Sequence, residues 1–185
     1  SEDPRVLDFS ERFMNQLGEN QVFAMEMVPD LPTLTRLTEY MHYQDGTTLE
    51  SQIGSERFLL ELAVDQASRS LGLAGRESIE PNGGMLFVFP RAEVRSFFMR
   101  DCVIPIDIVF LDSVGRITAT YTMDPETPQA DSESDTAYFH RLKRYSSLTP
   151  SRYAVELRAG TIDRLGLRRA DRLALDKQEL RYALR

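Results

Sequence analysis

The sequence predicts a mainly β fold of the α+β class: a curved antiparallel sheet, or a partly closed barrel or sandwich, with short helices and an N-terminal helix. Three observations predict this class. Short segments in which apolar and polar residues alternate, typical of half-buried strands, follow one another from residue 57 onward. Helical patterns in that region are few and short. Hydrophobic residues make up 42% of the chain and include ten Phe and seven Tyr, enough to bury a core.

Length and composition limit the number of domains and the classes of partner. A chain of 185 residues makes one soluble domain, or one domain with a long terminal extension. The net charge of −7 disfavours binding to nucleic acid or to anionic lipid. One Cys and the widely separated His42 and His140 provide no metal-ligand spacing, so we predict no metal and no cofactor. No apolar run approaches the roughly 20 residues of a transmembrane helix.

Residues 1–47 are predicted to be an N-terminal extension that carries an amphipathic helix. Asp3 and Pro4 suit the start of this helix. Apolar residues at helical spacing and a terminal glycine then follow, namely Val6, Phe9, Phe13, Leu17 and Gly18. We expect the helix to pack on the protein's own core, with a membrane surface or a partner protein as the alternatives. Residues 20–43 have both strand and helix features and are left unassigned.

The start of the chain bears on its location. It begins at Ser1, without Met, in an acidic stretch that contains Pro. Either a tag was removed or a targeting segment preceded Ser1. We expect an exported, periplasmic protein on this basis. The sequence does not indicate which oligomeric state the protein adopts.

Strand patterns dominate residues 48–185, which we predict to form a single β-rich domain. Asp45-Gly46 is a hairpin dipeptide that would return the chain through residues 47–49. Residues 57–64 alternate between apolar and polar side chains, and the polar stretch 65–70 suits a helix. Further strands are predicted at 84–89, 95–99 and 103–111.

The C-terminal part continues this pattern. A turn at residues 112–115 joins the strand 103–111 to a strand at 116–123, giving a hairpin with one apolar face. Residues 124–135 are rich in acidic side chains and Pro, which predicts a surface loop. Beyond this loop we predict a strand at 153–157, a short helix within 159–167 and a last strand at 173–175.

Several separate blocks of the sequence occur in an order found in a known family. In chain order they are Arg69-Ser70-Leu71-Gly72-Leu73, Arg76, Gly84-Met85-Leu86-Phe87-Val88-Phe89, Phe97-Phe98-Met99-Arg100-Asp101-Cys102-Val103-Ile104-Pro105-Ile106-Asp107-Ile108, Phe110-Leu111-Asp112, Gly115-Arg116, Tyr153-Ala154-Val155-Glu156-Leu157, Ala159-Gly160 and Arg164-Leu165-Gly166-Leu167. With these blocks, about residues 48–176 resemble the bacterial and archaeal family known as domain of unknown function 192.

The resemblance implies a compact, mainly β domain with short helices, and a family whose biochemical activity is not established. Two stretches differ from the family's usual pattern. Its aromatic-Met-Lys-Asn-Thr stretch appears here as Phe98-Met99-Arg100-Asp101-Cys102, and its Gly-Leu-Met-Phe-Arg stretch as Gly72-Leu73-Ala74-Gly75-Arg76. The replacement of Lys by Arg and of Asn by Asp changes the charge and hydrogen-bond geometry of any site built from these side chains.

Asp107 is the first candidate site residue, because its neighbours in the predicted strand are almost all apolar. A buried carboxylate needs a partner, either an Arg or backbone N–H groups. The candidate cations are Arg76, Arg95 and Arg100. Two interpretations stay open at this point. Asp107 is either a structural residue that pins the sheet or a turn, or an acid or general base in a pocket.

The segment 97–102 supplies a second group of candidates. In an extended backbone, alternate residues lie on opposite faces, which here are Phe98, Arg100 and Cys102 on one face and Phe97, Met99 and Asp101 on the other. An Arg beside an aromatic ring and a small thiol can line a pocket for a carboxylate or other anion. The alternative is a strand end with an exposed Arg. We expect an inert, packed thiol at Cys102, because no base is near it in sequence.

The candidate ligand-binding residues are therefore Arg76, Phe98, Arg100, Asp101, Cys102 and Asp107. Three functions are compatible with them. The first is a non-catalytic domain that binds a small anionic ligand or a peptide end. The second is a hydrolase-like enzyme that uses Asp101 or Asp107 as its base. The third is a protein-interaction module in which residues 1–45 supply the contact helix.

Overall fold

The computed structural model describes residues 47–175 and Leu180. The predicted N-terminal helix and the unassigned segment 20–43 lie outside these residues. The extension therefore stays a prediction. In the described part of the chain, no helix is long and apolar enough to span a bilayer.

Eight strands and three short helices make up the described domain. In chain order they are β1 (Thr48–Ile53), β2 (Glu56–Ala63), α1 (Gln66–Leu71), β3 (Gly83–Glu93), β4 (Ser96–Phe97), β5 (Ile106–Leu111), β6 (Ile117–Met123), α2 (Asp135–Arg141), β7 (Tyr145–Ser146), β8 (Ser151–Arg158) and α3 (Thr161–Leu165). The prediction of a mainly β, α+β fold is confirmed.

Six strands form one sheet in the order β1-β2-β3-β8-β5-β6, and β4 pairs separately with β7. Every neighbouring pair in the large sheet is antiparallel except β2 and β3, which are parallel. The antiparallel prediction is wrong at this pair, because the chain crosses over through α1 before it enters β3. Within the described residues β1 and β6 are the two edges of the sheet, so it is open rather than a closed barrel.

Both faces of the central strands are buried, which explains their nearly continuous apolar sequence. All six residues of β5 are buried. One face carries an apolar cluster that includes Leu86, Val109, Val155 and Leu157. The other face carries a second cluster, whose members include Met85, Phe87, Ile108, Phe110 and Ala154. Strand β8 lies between β3 and β5 at the centre of the sheet. Its successive side chains alternate between the two buried faces, so it contributes to both clusters.

Most of the predicted elements are confirmed: the strands at 57–64, 84–89, 116–123 and 153–157, the turn at 112–115 and the helices at 65–70 and 159–167. The helix at 65–70 starts as its sequence suggests, because Asp65 Oδ1 accepts a hydrogen bond from Ser68 N–H at 2.7 Å.

Four elements differ from prediction. The strand predicted at 103–111 begins only at Ile106, after a Pro that cannot donate to a ladder. The strand predicted at 95–99 is reduced to β4, and Asp101 just beyond it has a positive φ of 56° that ends the extended run. The strand predicted at 173–175 forms only isolated bridges. The acidic loop predicted at 124–135 is confirmed as far as Ser134, but the helix α2 that follows it was not predicted; the hydroxyl of Ser134 caps this helix by accepting from Ala137 N–H.

Gly84 permits the close contact between β3 and β8. It pairs with Leu157, and a Cβ at this position would overlap the carbonyl oxygen of Glu156 and lie 3.0 Å from Leu157 Cδ2. These two strands form the centre of the sheet. A side chain at Gly84 would push β8 away from β3.

We predict that Gly84→Ala lowers the free energy of unfolding by more than about 3 kcal/mol, since the added methyl group meets backbone rather than a movable side chain. The matched control is Gly75→Ala, which also has a positive φ but no atom within 4 Å of the added Cβ. This control should lose only about 1 kcal/mol from backbone strain. Urea denaturation of the two variants and the wild type measures both effects. Equal losses would contradict the role given to Gly84.

Candidate functional site

A cleft of about 820 Å³ opens beside the second apolar cluster. The end of α1 and the turn that follows it form one wall, and the segment that includes β4 forms another. The polar and aromatic residues that line it include Arg69, Gly72, Phe87, Phe89, Arg91, Glu93, Arg95, Phe97, Phe98, Arg100, Cys102, Phe139 and Glu156. Four arginines and two glutamates are in this set, so positive charge prevails.

Glu156 is a buried acid in the wall of this cleft. It pairs with Met85 and Ile108 across the sheet, and its side chain shares their apolar face. Only 6% of the residue is exposed, and its Oε2 has no hydrogen-bond partner. Burial raises the pKa of Glu156 to about 7, against the opposing effects of a hydrogen bond from the backbone of Leu73 and the charge of Arg76. Its carboxyl group therefore changes charge near neutral pH.

The turn after α1 controls the space beside this carboxyl group. Gly72 ends α1 with a φ of 54°, a conformation that L side chains rarely adopt. A Cβ at Gly72 would lie 3.4 Å from Glu156 Oε2 and 3.4 Å from Phe87 Cζ. Glycine therefore leaves this space unfilled.

Two arginines contact the Phe89 ring at the basic end of the cleft. The guanidinium carbon of Arg95 is 4.2 Å from the ring centroid, and that of Arg69 is 5.7 Å away. Arg69 donates to the backbone carbonyls of Val64 and Val88, which carry no charge. Its pKa is lowered, first by burial and also by the nearby positive charge of Arg95, while Asp65 opposes the shift.

The partners of Arg95 satisfy only some of the N–H donors of its guanidinium. One of its nitrogens lies 3.2 Å from a carboxylate oxygen of the exposed Glu93, and another donates to the carbonyl of Arg91 at 2.5 Å. Its Nε is buried and has no partner. The two neighbouring guanidiniums thus leave positive charge and a free donor at this end of the cleft.

Three residues predicted to form a pocket do line the cleft, namely Phe98, Arg100 and Cys102. Phe98 packs edge-to-face against Phe139 at 5.1 Å. The guanidinium of Arg144 stacks over both rings, at 4.4 and 4.0 Å. Arg100 is half-exposed, and its Nε lies 3.5 Å from Asp101 Oδ2.

Cys102 is a protonated thiol in the neutral pH range. Burial is the main effect that raises its pKa to about 11, Glu156 and Asp101 raise it further, and Arg100 lowers it. A thiol with this pKa is a poor nucleophile. The same interactions show that Arg100 and Glu156 both lie close enough to Cys102 to act on its charge.

Asp101 and Arg76 lie elsewhere. Asp101 lines a neighbouring cavity of about 420 Å³, together with Tyr138. Arg76 lines a third cavity, of about 560 Å³. It forms a two-pronged ion pair with Glu61, at 2.5 and 2.6 Å. Neither residue is among those that line the 820 Å³ cleft.

Asp107 is fully buried and has a clear structural role. It pairs with Leu157, whereas the next residue, Ile108, pairs with Glu156, so the side chains of Asp107 and Glu156 lie on opposite faces of the sheet. Asp107 Oδ1 accepts from the Thr122 hydroxyl at 2.7 Å, and Oδ2 accepts from Ile162 N–H at 2.8 Å. These bonds hold the start of α3 against β5 and β6. In the described residues no arginine pairs with Asp107, which favours the structural interpretation.

Sequence reasoning missed Glu156 and Arg69, and it considered Arg95 only as a partner for Asp107. The signal for Glu156 was its position in the predicted strand 153–157, on the face opposite to Tyr153, Val155 and Leu157. An acid between apolar neighbours in a strand is on a buried face whenever both faces of the sheet are covered. Among the described residues, no group of His, Cys, Asp and Glu is arranged to hold a metal ion.

We predict that Asp107→Asn lowers the free energy of unfolding by about 1 to 3 kcal/mol, because the amide offers one acceptor to two donors: either the Ile162 N–H meets an N–H group, or the Thr122 hydroxyl must reverse its hydrogen bond. The matched control is Asp112→Asn. Asp112 Oδ1 accepts two backbone N–H bonds in the 112–115 turn, and Asn keeps that oxygen, so a loss below about 1 kcal/mol is expected. Chemical denaturation measures both. A stable Asp107→Asn variant would remove the structural role.

Glu156 gives a pH-dependent prediction. Its pKa is higher in the folded protein, about 7, than the ordinary 4.5, so the folded state binds the proton more tightly. The stability of the wild type relative to Glu156→Gln should therefore be highest below about pH 4.5 and fall by about 3 kcal/mol as the pH rises through 7. Urea denaturation of both proteins across this range tests it. A difference between them that stays constant with pH would show that Glu156 does not titrate there.

Comparisons with known proteins agree with this fold. The model of the family called domain of unknown function 192, described as "Uncharacterized ACR", matches residues 48–175. A solved structure from Sinorhizobium meliloti 1021, described as a "putative transcription regulator", is 30% identical with a TM-score of 0.54, and the match covers 68% of this chain and 89% of that one.

A protein of unknown function from Novosphingobium aromaticivorans DSM 12444 shares the fold, with a TM-score of 0.56 and 20% identity. That match covers 72% of this chain and 96% of the other. A comparison with curated proteins finds no match. Since the family model covers more than half of the chain and includes every strand described above, the protein belongs to the family called domain of unknown function 192.

Proposed function

We propose that the 820 Å³ cleft binds a small anionic ligand, or the carboxylate end of a peptide, and carries out no chemical step on it. The observation that carries this proposal is the pair of guanidiniums beside Phe89. Among the described residues, Arg69 donates only to neutral carbonyls, and the buried Nε of Arg95 has no partner. An anionic group would satisfy this donor and offset the repulsion between the two cations.

The size and lining of the cleft support a small organic ligand. Pockets of a few hundred to about 1,000 Å³ suit such molecules, and they combine apolar walls with a few polar anchors. Here the aromatic rings of Phe89, Phe98 and Phe139 supply the walls. Arg100, which is half-exposed at the rim, supplies a further anchor that has no structural duty beyond its contact with Asp101.

The chemistry of the lining residues favours binding over catalysis. Cys102 is protonated near neutral pH, with a pKa of about 11, and so makes a poor nucleophile. The two acids proposed as bases for a hydrolase, Asp101 and Asp107, do not line the cleft. Both oxygens of Asp107 are already engaged in hydrogen bonds.

The description of the Sinorhizobium relative raises a role in gene regulation. The net charge of −7 disfavours direct contact with a phosphate backbone. A regulatory role for this chain would therefore use the cleft to sense a ligand rather than to hold DNA.

The probe for anion binding is 3-phenylpropionate, a carboxylate with an aromatic ring that suits the walls of the cleft. We expect its addition to shift the backbone amide NMR signals of residues that line the cleft. The uncharged alcohol 3-phenyl-1-propanol should bind about tenfold more weakly, because it offers the arginines no negative charge. Equal affinities for the two compounds would contradict an anion site.

Arg100→Gln tests the cleft itself. Removal of this guanidinium should weaken the binding of 3-phenylpropionate by about fivefold to tenfold, with the thermal stability unchanged. Arg57→Gln is the matched control, because the Arg57 side chain is 80% exposed, forms an ion pair with Glu50 and is not among the residues that line the cleft. If both variants bind as the wild type does, the anion is held elsewhere and the proposal fails.

A further inference from the structure

The cleft contains a second unsatisfied group, of opposite character to the arginines. Glu156 Oε2 is buried and accepts no hydrogen bond from the protein. Gly72 also lines the cleft, and a Cβ at this position would lie 3.4 Å from Glu156 Oε2. A buried carboxylate oxygen without a partner is costly, and a donor from a ligand would remove that cost.

The acid and the cations line the same cleft. Its lining residues include Glu156, Arg69, Arg95 and Arg100, and also Cys102, on whose thiol the charges of Glu156 and Arg100 act in opposite directions. A ligand that contacts both kinds of group needs a positive donor and a negative acceptor.

Building on the anion site proposed above, we infer that the ligand of the cleft is an α-amino acid. Its carboxylate binds to the arginines, and its ammonium group donates to Oε2 of Glu156. Its side chain lies against the phenylalanine rings of the walls. No bond is made or broken in this binding. The unpartnered Oε2 of Glu156 gives the site its preference for an amine, because a ligand without an amine leaves this oxygen without a hydrogen bond.

The test compares two probes that differ only in the amine, L-phenylalanine and 3-phenylpropionate. The dissociation constants of both are measured by calorimetry or by NMR titration at about pH 7.5, above the pKa of about 7 of Glu156, so that its carboxyl group is ionised. For the wild type we expect phenylalanine to bind about tenfold more tightly than 3-phenylpropionate. In Glu156→Gln this preference should disappear.

The affinity for 3-phenylpropionate is the internal control for folding. It should be no weaker in Glu156→Gln than in the wild type, since its carboxylate meets only the arginines and the substitution removes a negative charge from the cleft. Glu50→Gln is the matched control variant, because Glu50 is exposed on β1, forms an ion pair with Arg57 and is not among the residues that line the cleft. This variant should keep the full preference for phenylalanine.

The outcomes separate the two proposals. If the wild type binds both probes equally, the amino-acid inference is overturned and the anion site stands. A preference for phenylalanine that survives in Glu156→Gln also overturns the inference, because the amine would then be held by another group. If neither probe binds, the anion site fails and the amino-acid inference fails with it.

Discussion

The position of β8 between β3 and β5 is the constraint on which the rest of this structure depends. Successive side chains of β8 point to opposite faces of the sheet, and because both faces are buried at its centre, they enter two different apolar clusters. Leu157 packs into one cluster, and Glu156 lies against the other. The close approach of β8 to β3 requires Gly84, where a larger residue would meet backbone. A carboxyl group is thereby fixed in an apolar interior at the wall of the cleft.

The two buried acids, Asp107 and Glu156, show how the face of a sheet decides the role of a residue. They occupy neighbouring strands but lie on opposite faces. Asp107 has a hydroxyl and a backbone N–H as partners and joins β5, β6 and α3. Glu156 has an oxygen with no partner, and its raised pKa reflects that burial. The first acid stabilises the fold, and the second is held at a cost that a ligand can offset.

The cleft combines this acid with an excess of positive charge. Arg69 and Arg95 both contact Phe89. Their planar guanidiniums are attracted to the aromatic ring, while their positive charges repel each other. Arg100 adds a third cation, and Cys102, a neutral thiol, lies within range of both Arg100 and Glu156. The electrostatic field is therefore uneven: mostly positive, with one acidic position that titrates near neutral pH. This arrangement is the basis of the proposed preference for a ligand that carries both charges.

The sequence by itself determined the local elements and the family. Alternation of apolar and polar residues is a property of neighbouring positions, so it sufficed for the strands at 57–64, 116–123 and 153–157 and for the hairpin turn at 112–115. It also grouped Phe98, Arg100 and Cys102, which do line one cleft, although the segment ends in a turn and is not the extended strand that was predicted. Only the tertiary structure decided the parallel pairing of β2 with β3, the partners of Asp107 and the union of Arg69, Arg95 and Glu156 in one cleft. These contacts join residues far apart in the chain, and no local pattern specifies which strands become neighbours.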